Sequence, residues 1–365
     1  MKLVFTGGGT GGHLYPAIAI ADALRGRAEI TFIGTADRLE ATIVPKAGYP
    51  LVTVNARPLT RKLSLELLRT LGANVSGTLQ ALSALRRIKP DAVIATGGYV
   101  CAPVVLAARL LRVHPIVLLE PNAAPGLTNR LIAPLVDEVW GAYDAVDARF
   151  SGKYLRTGIP VRASLRRLPD RAAAVERLGL SAKRRTLLAM GGSQGARSIN
   201  DALASLVKSD GLPEGWQLIH VTGEKEYDRV RAALGDSAPP GGAVRPYLHD
   251  MTDAYAAADL VLARSGASTL GELAATARPA ILIPYPYAAD DHQRANAEAF
   301  AASGAAVVAD DRDLAAGKLR AILAGATAPA RLAALTAAAG RLGESDPVAT
   351  IIARVETLLA RKSEP

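Results

Sequence analysis

The chain holds a single cysteine, Cys101, so no internal disulfide can form, and the composition suits a reducing compartment. A lone cysteine serves more often as a small core residue than as a nucleophile. Aromatic residues occupy only 4% of the 365 positions, too few for the stacking platforms that single-stranded nucleic acid needs. Five histidines, none paired at ligand spacing, leave no metal motif, and no Walker A lysine motif is present. Long apolar runs are missing as well. A long uncharged run, residues 92–108, is interrupted by Gly97-Gly98 and Pro103 and reads as strand, turn and helix rather than a membrane span. Only Leu3 to Phe5 separate Lys2 from the first glycines, too little for a secretory signal.

Half of the residues are hydrophobic, enough to fill the cores of two domains of ordinary size. Forty-three Lys and Arg against thirty-four Asp and Glu leave a net charge of +9. That excess favours a polyanionic partner, whether nucleic acid, an anionic membrane surface or phosphorylated substrates, and the few aromatics count against the single-stranded form of the first. Apolar runs alternate with helical patterns throughout, the signature of parallel α/β sheets. Strands are expected at 2–6, 29–33, 51–54, 92–96, 115–119 and 137–141, with helices between them such as 14–25, 38–46, 64–87 and 100–111. The pattern pauses at Thr157-Gly158-Ile159-Pro160, a plausible hinge, and restarts with strands at 185–190, 217–221, 259–262 and 279–284. After Asp313 come Ala-rich helices, the last at 348–361; Asp310-Asp311-Arg312-Asp313 reads as a helix cap rather than a metal triplet. Two Rossmann-like, doubly wound halves facing a cleft are the expected architecture.

The glycine-rich stretches follow strand ends. TGGGTGGH, residues 6–13, lies between strand and helix and fits G-x-G-x-x-G at Gly7, Gly9 and Gly12; it is either a phosphate loop or a tight turn. A dinucleotide loop wants an acid ending the second strand, but that strand ends in Gly34-Thr35, and Asp37 is assigned to the next helix. Thr96-Gly97-Gly98-Tyr99 is a turn or a close approach to a ligand, and Glu120-Pro121-Asn122 places polar groups at a strand end. Gly191-Gly192-Ser193-Gln194-Gly195 aims N–H groups and Ser193 Oγ at a helix N-terminus, where a diphosphate is the natural occupant. In Arg264-Ser265-Gly266-Ala267-Ser268-Thr269-Leu270-Gly271-Glu272, Ser265 is expected to cap a helix, and Glu272 suits a ribose diol or is simply solvated. Asp290-Asp291-His292-Gln293-Arg294-Ala295-Asn296 offers polar groups to a sugar, or is likewise a solvated loop.

Six of the blocks, TGGGTGGHLYPAIAIADAL, IGTADRLEATIVPKAG, TGGYVCAPVVLAA, GLTNRL, GGSQGARSIN and RSGASTLGELAA, resemble in this order the MurG family of GT-B glycosyltransferases. The resemblance implies transfer of N-acetylglucosamine from UDP-N-acetylglucosamine (UDP-GlcNAc) to lipid I, giving lipid II for peptidoglycan. It implies an N-terminal acceptor domain, 1–161 with a C-terminal helix 344–365 packing back, and a donor domain, 162–343. Carried over, Ser193 and the helix from Ser265, with Ala267, Ser268, Thr269, Leu270 and Gly271, would face the diphosphate, and Glu272 the ribose. The stretch Tyr247-Leu248 would hold uracil, Gln293 the sugar hydroxyls, Arg162 the donor, and Thr10, Gly11, Gly12 and Asn122 the donor sugar from across the cleft. Inversion needs one base, for which His13 is the candidate and Glu120 its rival or its orienting partner. No cofactor and no metal are expected, since helix N-termini can stabilise the leaving diphosphate. The family usually shows His-Glu-x-Asn where this chain has Leu119-Glu120-Pro121-Asn122, and Ile159 replaces an Asn before Pro160-Val161-Arg162. A UDP-sugar epimerase and a non-catalytic nucleotide-sugar sensor remain alternatives.

Such an acceptor lies in lipid, so the implied location is peripheral, on the cytoplasmic face of the cell membrane, with the cell-wall and division machinery as implied partners. Leu68, Leu71, Val75, Leu79 and Leu82 recur at helical spacing, flanked by Arg61, Lys62, Arg69, Arg86 and Arg87, as a lipid-facing stripe would. The other reading is a helix packed on the sheet, and Gly72 and Gly77 predict a break in it.

Overall fold

Strands buried on both faces read as continuous aliphatic runs, and such runs build both sheets of this computed structural model. The structure describes all residues except 59–64, 145, 147–149, 151, 193–194, 238–243, 316 and 363–365. The chain divides into two compact units, Met1–Arg162 with Asp346–Pro365, and Ala163–Ser345.

The first unit holds β1 (Lys2–Thr6), β2 (Glu29–Gly34), β3 (Leu51–Thr53), β4 (Ala92–Ala95), β5 (Ile116–Glu120), β6 (Glu138–Gly141) and β7 (Tyr154–Arg156). They form one parallel sheet in the order β3-β2-β1-β4-β5-β6-β7. Alternate residues of β1 serve opposite faces. Val4 joins Val93, Ala95, Ile116 and Leu118 beneath the helices Leu65–Ile88 and Cys101–Leu110. Leu3 and Phe5 join Phe32, Ile94 and Trp140 beneath the helices Gly11–Ala23 and Pro347–Lys362. Each fully buried Val, Leu, Ile or Phe there contributes about 1.5–3 kcal/mol of transfer free energy.

The second unit holds β8 (Arg185–Met190), β9 (Trp216–Val221), β10 (Val244–Arg245), β11 (Leu260–Ala263), β12 (Ala280–Leu282) and β13 (Ala306–Val308), parallel in the order β10-β9-β8-β11-β12-β13. Both sheets thus reverse direction of growth once, between β1 and β4 in the first and between β8 and β11 in the second. Ligands of open α/β sheets gather at the carboxyl ends of strands beside such a reversal.

Four local expectations need correction. The short strands β7, β10 and β13, of three, two and three residues, were not among the expected ones. Helix Leu65–Ile88 runs unbroken through Gly72 and Gly77. Gly77 is there for packing, because a Cβ on it would stand 1.8 Å from the carbonyl oxygen of Asn55. Asp37 lies in the turn before the helix Leu39–Lys46, not within it. Ser265 does not cap the helix Ala267–Ala275, whose cap position is Gly266; its hydroxyl donates to the carbonyl of Gln293 instead (2.7 Å).

His220, on β9, links this core to pH. Its Nε2 donates to Asn200 Oδ1 (2.8 Å), and Asn200 Nδ2 donates to the carbonyl of Thr222 (3.0 Å). Burial disfavours the charged imidazole and pulls its pKa from 6.5 down to about 4. A pKa depressed in the folded state gives stability that is full above about pH 6.5 and is lost as pH falls towards 4. About 3 kcal/mol should disappear across that window. Denaturant unfolding of wild type and His220→Gln at pH 7 and pH 4 checks this; the expected result is a shallower acid loss in the variant.

Candidate active site

The first reversal places two glycine loops side by side. Gly8 N–H donates to the carbonyl of Gly97 (3.3 Å), and Thr96 N–H to the carbonyl of Thr6 (2.8 Å). Gly97 and Gly98 have φ of +100° and +89°, a left-handed backbone that favours glycine. A Cβ on Gly98 would stand 2.4 Å from the carbonyl oxygen of Gly8, so the loops touch backbone to backbone. Beneath them Cys101 donates its S–H towards the carbonyls of Thr6 and Gly97 (3.3 and 3.2 Å), and burial pushes the thiol up to about 12. It is a packing residue.

His13 stands at this junction, in the first turn of Gly11–Ala23, with its Nδ1 3.0 Å from the carbonyl oxygen of Thr96. A carbonyl only accepts, so in the neutral ring Nδ1 carries the proton and Nε2 keeps the basic lone pair. Gly97 leaves the room: a Cβ there would come within 2.6 Å of Nδ1. Thr10 is exposed at the cap position, and Gly11 and Gly12 are half-buried in the first turn. N–H groups of a first helical turn have no partner inside the helix, so this end favours an anion. Arg162 lies over the ring of Tyr15 on the same helix, its guanidinium carbon 5.9 Å from the centroid.

Glu120 has a different environment. It ends β5 fully buried and accepts from Asn122 N–H (2.9 Å), Asn122 Nδ2 (3.1 Å), Gly126 N–H (3.1 Å) and Asn129 Nδ2 (2.8 Å). Burial raises its pKa while those donors oppose the rise, and the net direction is upward. The carboxylate therefore shapes the loop around Pro121 and fixes Asn122.

A second buried carboxylate escaped the sequence reading. Glu40 accepts from Gly9 N–H (3.0 Å) with one oxygen and from Thr35 N–H and Oγ1 (3.1 and 2.6 Å) with the other, tying the first glycine loop to the end of β2. Its one signal was an acid in the first turn of a largely apolar helix.

At the second reversal, Gly191, Gly192 and Gly195 lead into the helix Arg197–Ser209. Gly195 has φ +75°, and a Cβ there would meet the carbonyl oxygen of Thr222 at 2.3 Å. Ser193 and Gln194 lie outside the described residues. After β11 the first turn of Ala267–Ala275 presents Ser268 and Thr269, and the Ser268 hydroxyl is buried with no hydrogen-bond partner among the described residues. Ala267, Leu270 and Gly271 are buried and contribute backbone and packing. Glu272, half-buried, accepts from Tyr255 OH (2.8 Å), a partner without a sequence signal. Gln293 Oε1 accepts from Tyr285 N–H (3.0 Å), which orients its amide nitrogen the other way. Leu248 lies half-buried in the loop after β10, and the rings of its sequence neighbours Tyr247 and His249 meet edge to face.

Arg264 also went unsingled, although it is the one cation in a motif of small residues. It is buried and pairs with Asp311 (2.6 Å), donates to Ser198 Oγ (2.8 Å) and to the carbonyls of Ile283 and Pro284 (3.2 and 3.1 Å). The acidic stretch is thus more than a helix start, since Asp310 likewise pairs with Arg294. Among the described residues, no group of three His, Cys, Asp or Glu is placed to hold a metal.

Two parallel α/β units, each with glycine loops at its reversal, are the architecture of a GT-B glycosyltransferase. The Glycosyltransferase family 28 N-terminal domain matches residues 3–140 and the family 28 C-terminal domain residues 186–351. The chain belongs to glycosyltransferase family 28, among the MurG transferases. It is 39% identical to the UDP-N-acetylglucosamine--N-acetylmuramyl-(pentapeptide) pyrophosphoryl-undecaprenol N-acetylglucosamine transferase of Desulforamulus reducens, over 99% of this chain and 100% of that one. It is 43% identical to the transferase of the same name from Halothermothrix orenii, over 87% and 88%. The crystal structure of Acinetobacter baumannii MurG superposes with a TM-score of 0.75 at 27% identity, covering 98% of both chains.

Proposed function

We propose that this chain moves N-acetylglucosamine from UDP-GlcNAc to the 4-hydroxyl of N-acetylmuramate in lipid I, an inverting transfer that yields lipid II. The observation that carries the chemistry is the His13–Thr96 hydrogen bond. It fixes the tautomer that keeps the basic lone pair on Nε2, as a general base requires. Glu120, enclosed by four donors, acts on geometry: it holds Asn122 towards the donor sugar. Thr10, Gly11 and Gly12 meet the transferring sugar and the acceptor's pyrophosphate.

The second unit binds the donor. Its helix N-termini at Arg197 and Ala267 face the diphosphate, with Ser193 and the hydroxyls of Ser268 and Thr269. Glu272 takes the ribose diol, the Tyr247-Leu248 stretch the uracil, Gln293 the sugar hydroxyls, and Arg162 serves as a donor-site arginine. Preorganised N–H groups stabilise the departing UDP without reorganisation. The test is transfer from radiolabelled UDP-GlcNAc to a short-chain lipid I analogue, with a chelator present. Disaccharide product and equal UDP release are expected; UDP-sugar interconversion, or binding without turnover, would overturn the reading.

The membrane surface is the remaining partner. Among the described residues no single helix is long and apolar enough to cross a membrane. Helix Leu65–Ile88 instead turns Leu68, Leu71, Val75 and Leu79 outward, at 65, 45, 62 and 62% exposure. Leu82 packs against the core, and Arg61 and Lys62 lie outside the described residues. Four aliphatic side chains on one stripe, with Arg86 and Arg87 in the last turn of the same helix, suit insertion among anionic lipids. Leu68→Glu with Leu79→Glu should abolish sedimentation with anionic vesicles and leave transfer to a water-soluble acceptor within about twofold, because surface substitutions cost little stability.

A further inference from the structure

Beside the first glycine loop, on the outer side of the sheet, lies a cavity of about 560 Å³ that no step above uses. Its walls are the ends of β2 and β3, the extended stretch that follows β3, and the helix Leu65–Ile88. The stretch is fastened to that helix. Asn55 N–H donates to Gln80 Oε1 (2.7 Å), Arg57 N–H donates to Asn74 Oδ1, and Asn74 Nδ2 donates back to the carbonyl of Arg57 (both 3.1 Å). Gly77 lets the two backbones close.

Two guanidinium groups, Arg57 and Arg69, line the cavity. The one acid on its wall, Asp37, pairs with Arg38 (3.8 Å), and among the described residues neither Arg57 nor Arg69 has a carboxylate at ion-pair distance. Thr35, Thr53, Asn55 and Gln80 add amide and hydroxyl groups. Thr35 shares Glu40 with Gly9, so the cavity wall and the first glycine loop are held by one carboxylate.

We infer that this cavity receives the peptide branch of the acceptor, with Arg57 and Arg69 engaging its carboxylates. The inference rests on the lipid I reading above. Guanidinium forks match carboxylates, and the neighbouring amides and hydroxyls match a peptide backbone. The size falls within the range of small-ligand sites. Reach agrees as well. The end of β3 lies two strands from β1, about 10 Å at ordinary strand spacing, and five extended residues span up to about 17 Å. A pyrophosphate finds its N–H donors at the glycine loop instead.

The experiment compares two short-chain acceptors, one bearing the pentapeptide and one with the peptide removed, in wild type, Arg57→Ala, Arg69→Ala and the double variant. Each single variant should lower kcat/KM for the peptide-bearing acceptor about tenfold, the worth of one charge-assisted hydrogen bond. Activity on the peptide-less acceptor, donor KM and Tm should stay at wild-type values. An equal loss on both acceptors, no loss on either, or a loss only of vesicle binding would overturn the cavity assignment. No transfer to either acceptor by the wild type would overturn the lipid I reading itself.

Discussion

Replacing His13 by alanine is expected to lower kcat roughly 10²–10⁴-fold, the usual contribution of a positioned general base. UDP affinity should change little, because the uridine and diphosphate contacts are assigned to the second unit. Transition-state and ground-state effects then separate cleanly: kcat and kcat/KM for the acceptor fall together while the donor constant holds. His13→Gln sharpens the comparison, since its amide can keep a donor near the Thr96 carbonyl yet offers no basic nitrogen. Near-normal turnover in either variant, measured by radiolabelled product, would falsify the base assignment.

Gly97→Ala should cost almost as much without touching a reactive group. The new methyl would stand 2.6 and 2.8 Å from Nδ1 and Cε1 of His13 and 3.3 Å from Nδ2 of Asn129, which clasps Glu120. Its φ of +100° adds backbone strain of about 1–2 kcal/mol. Misplacing a catalytic group by about 1 Å costs roughly 10²-fold, and that is the expected fall in kcat. Gly26→Ala supplies the control: it has φ +79° with open space around its Cβ position, so it incurs strain without displacing anything. The expected pattern is a lower Tm in both variants and lost turnover only at Gly97. Equal turnover in the two would show that the loop does not set the imidazole.

Much of this was legible in the residues, for reasons that differ by position. The long strands betrayed themselves as aliphatic runs followed by glycine, which is why 185–190 matches β8 and 2–6 matches β1 to the residue. The glycine loops announced their sites because close backbone approach leaves a compositional mark. Contacts between distant stretches leave none. Nothing local to Glu40 tells of Gly9, and nothing near Arg264 tells of Asp311 or Ser198. Gly77 shows the ambiguity in the other direction, since propensity read it as a helix breaker while packing against Asn55 keeps the helix whole. Ser265 looked like a cap by residue type, but a hydroxyl serves whichever acceptor lies nearest, and that is the carbonyl of Gln293.

The helix Pro347–Lys362 carries a consequence for synthesis. Ile351 and Val355 are buried among Leu3, Phe5, Leu14 and Trp140, and Arg354 pairs with Glu138 on β6. The face they seal emerges from the ribosome within the first 162 residues, whereas the seal begins at Pro347, 185 residues later (347 − 162). At roughly 5–20 residues per second, that face waits about 10–40 s with its apolar side chains uncovered. The unit translated first is therefore the one completed last. A released chain truncated before Pro347 would carry a complete second unit and an incomplete first, the reverse of ordinary vectorial folding.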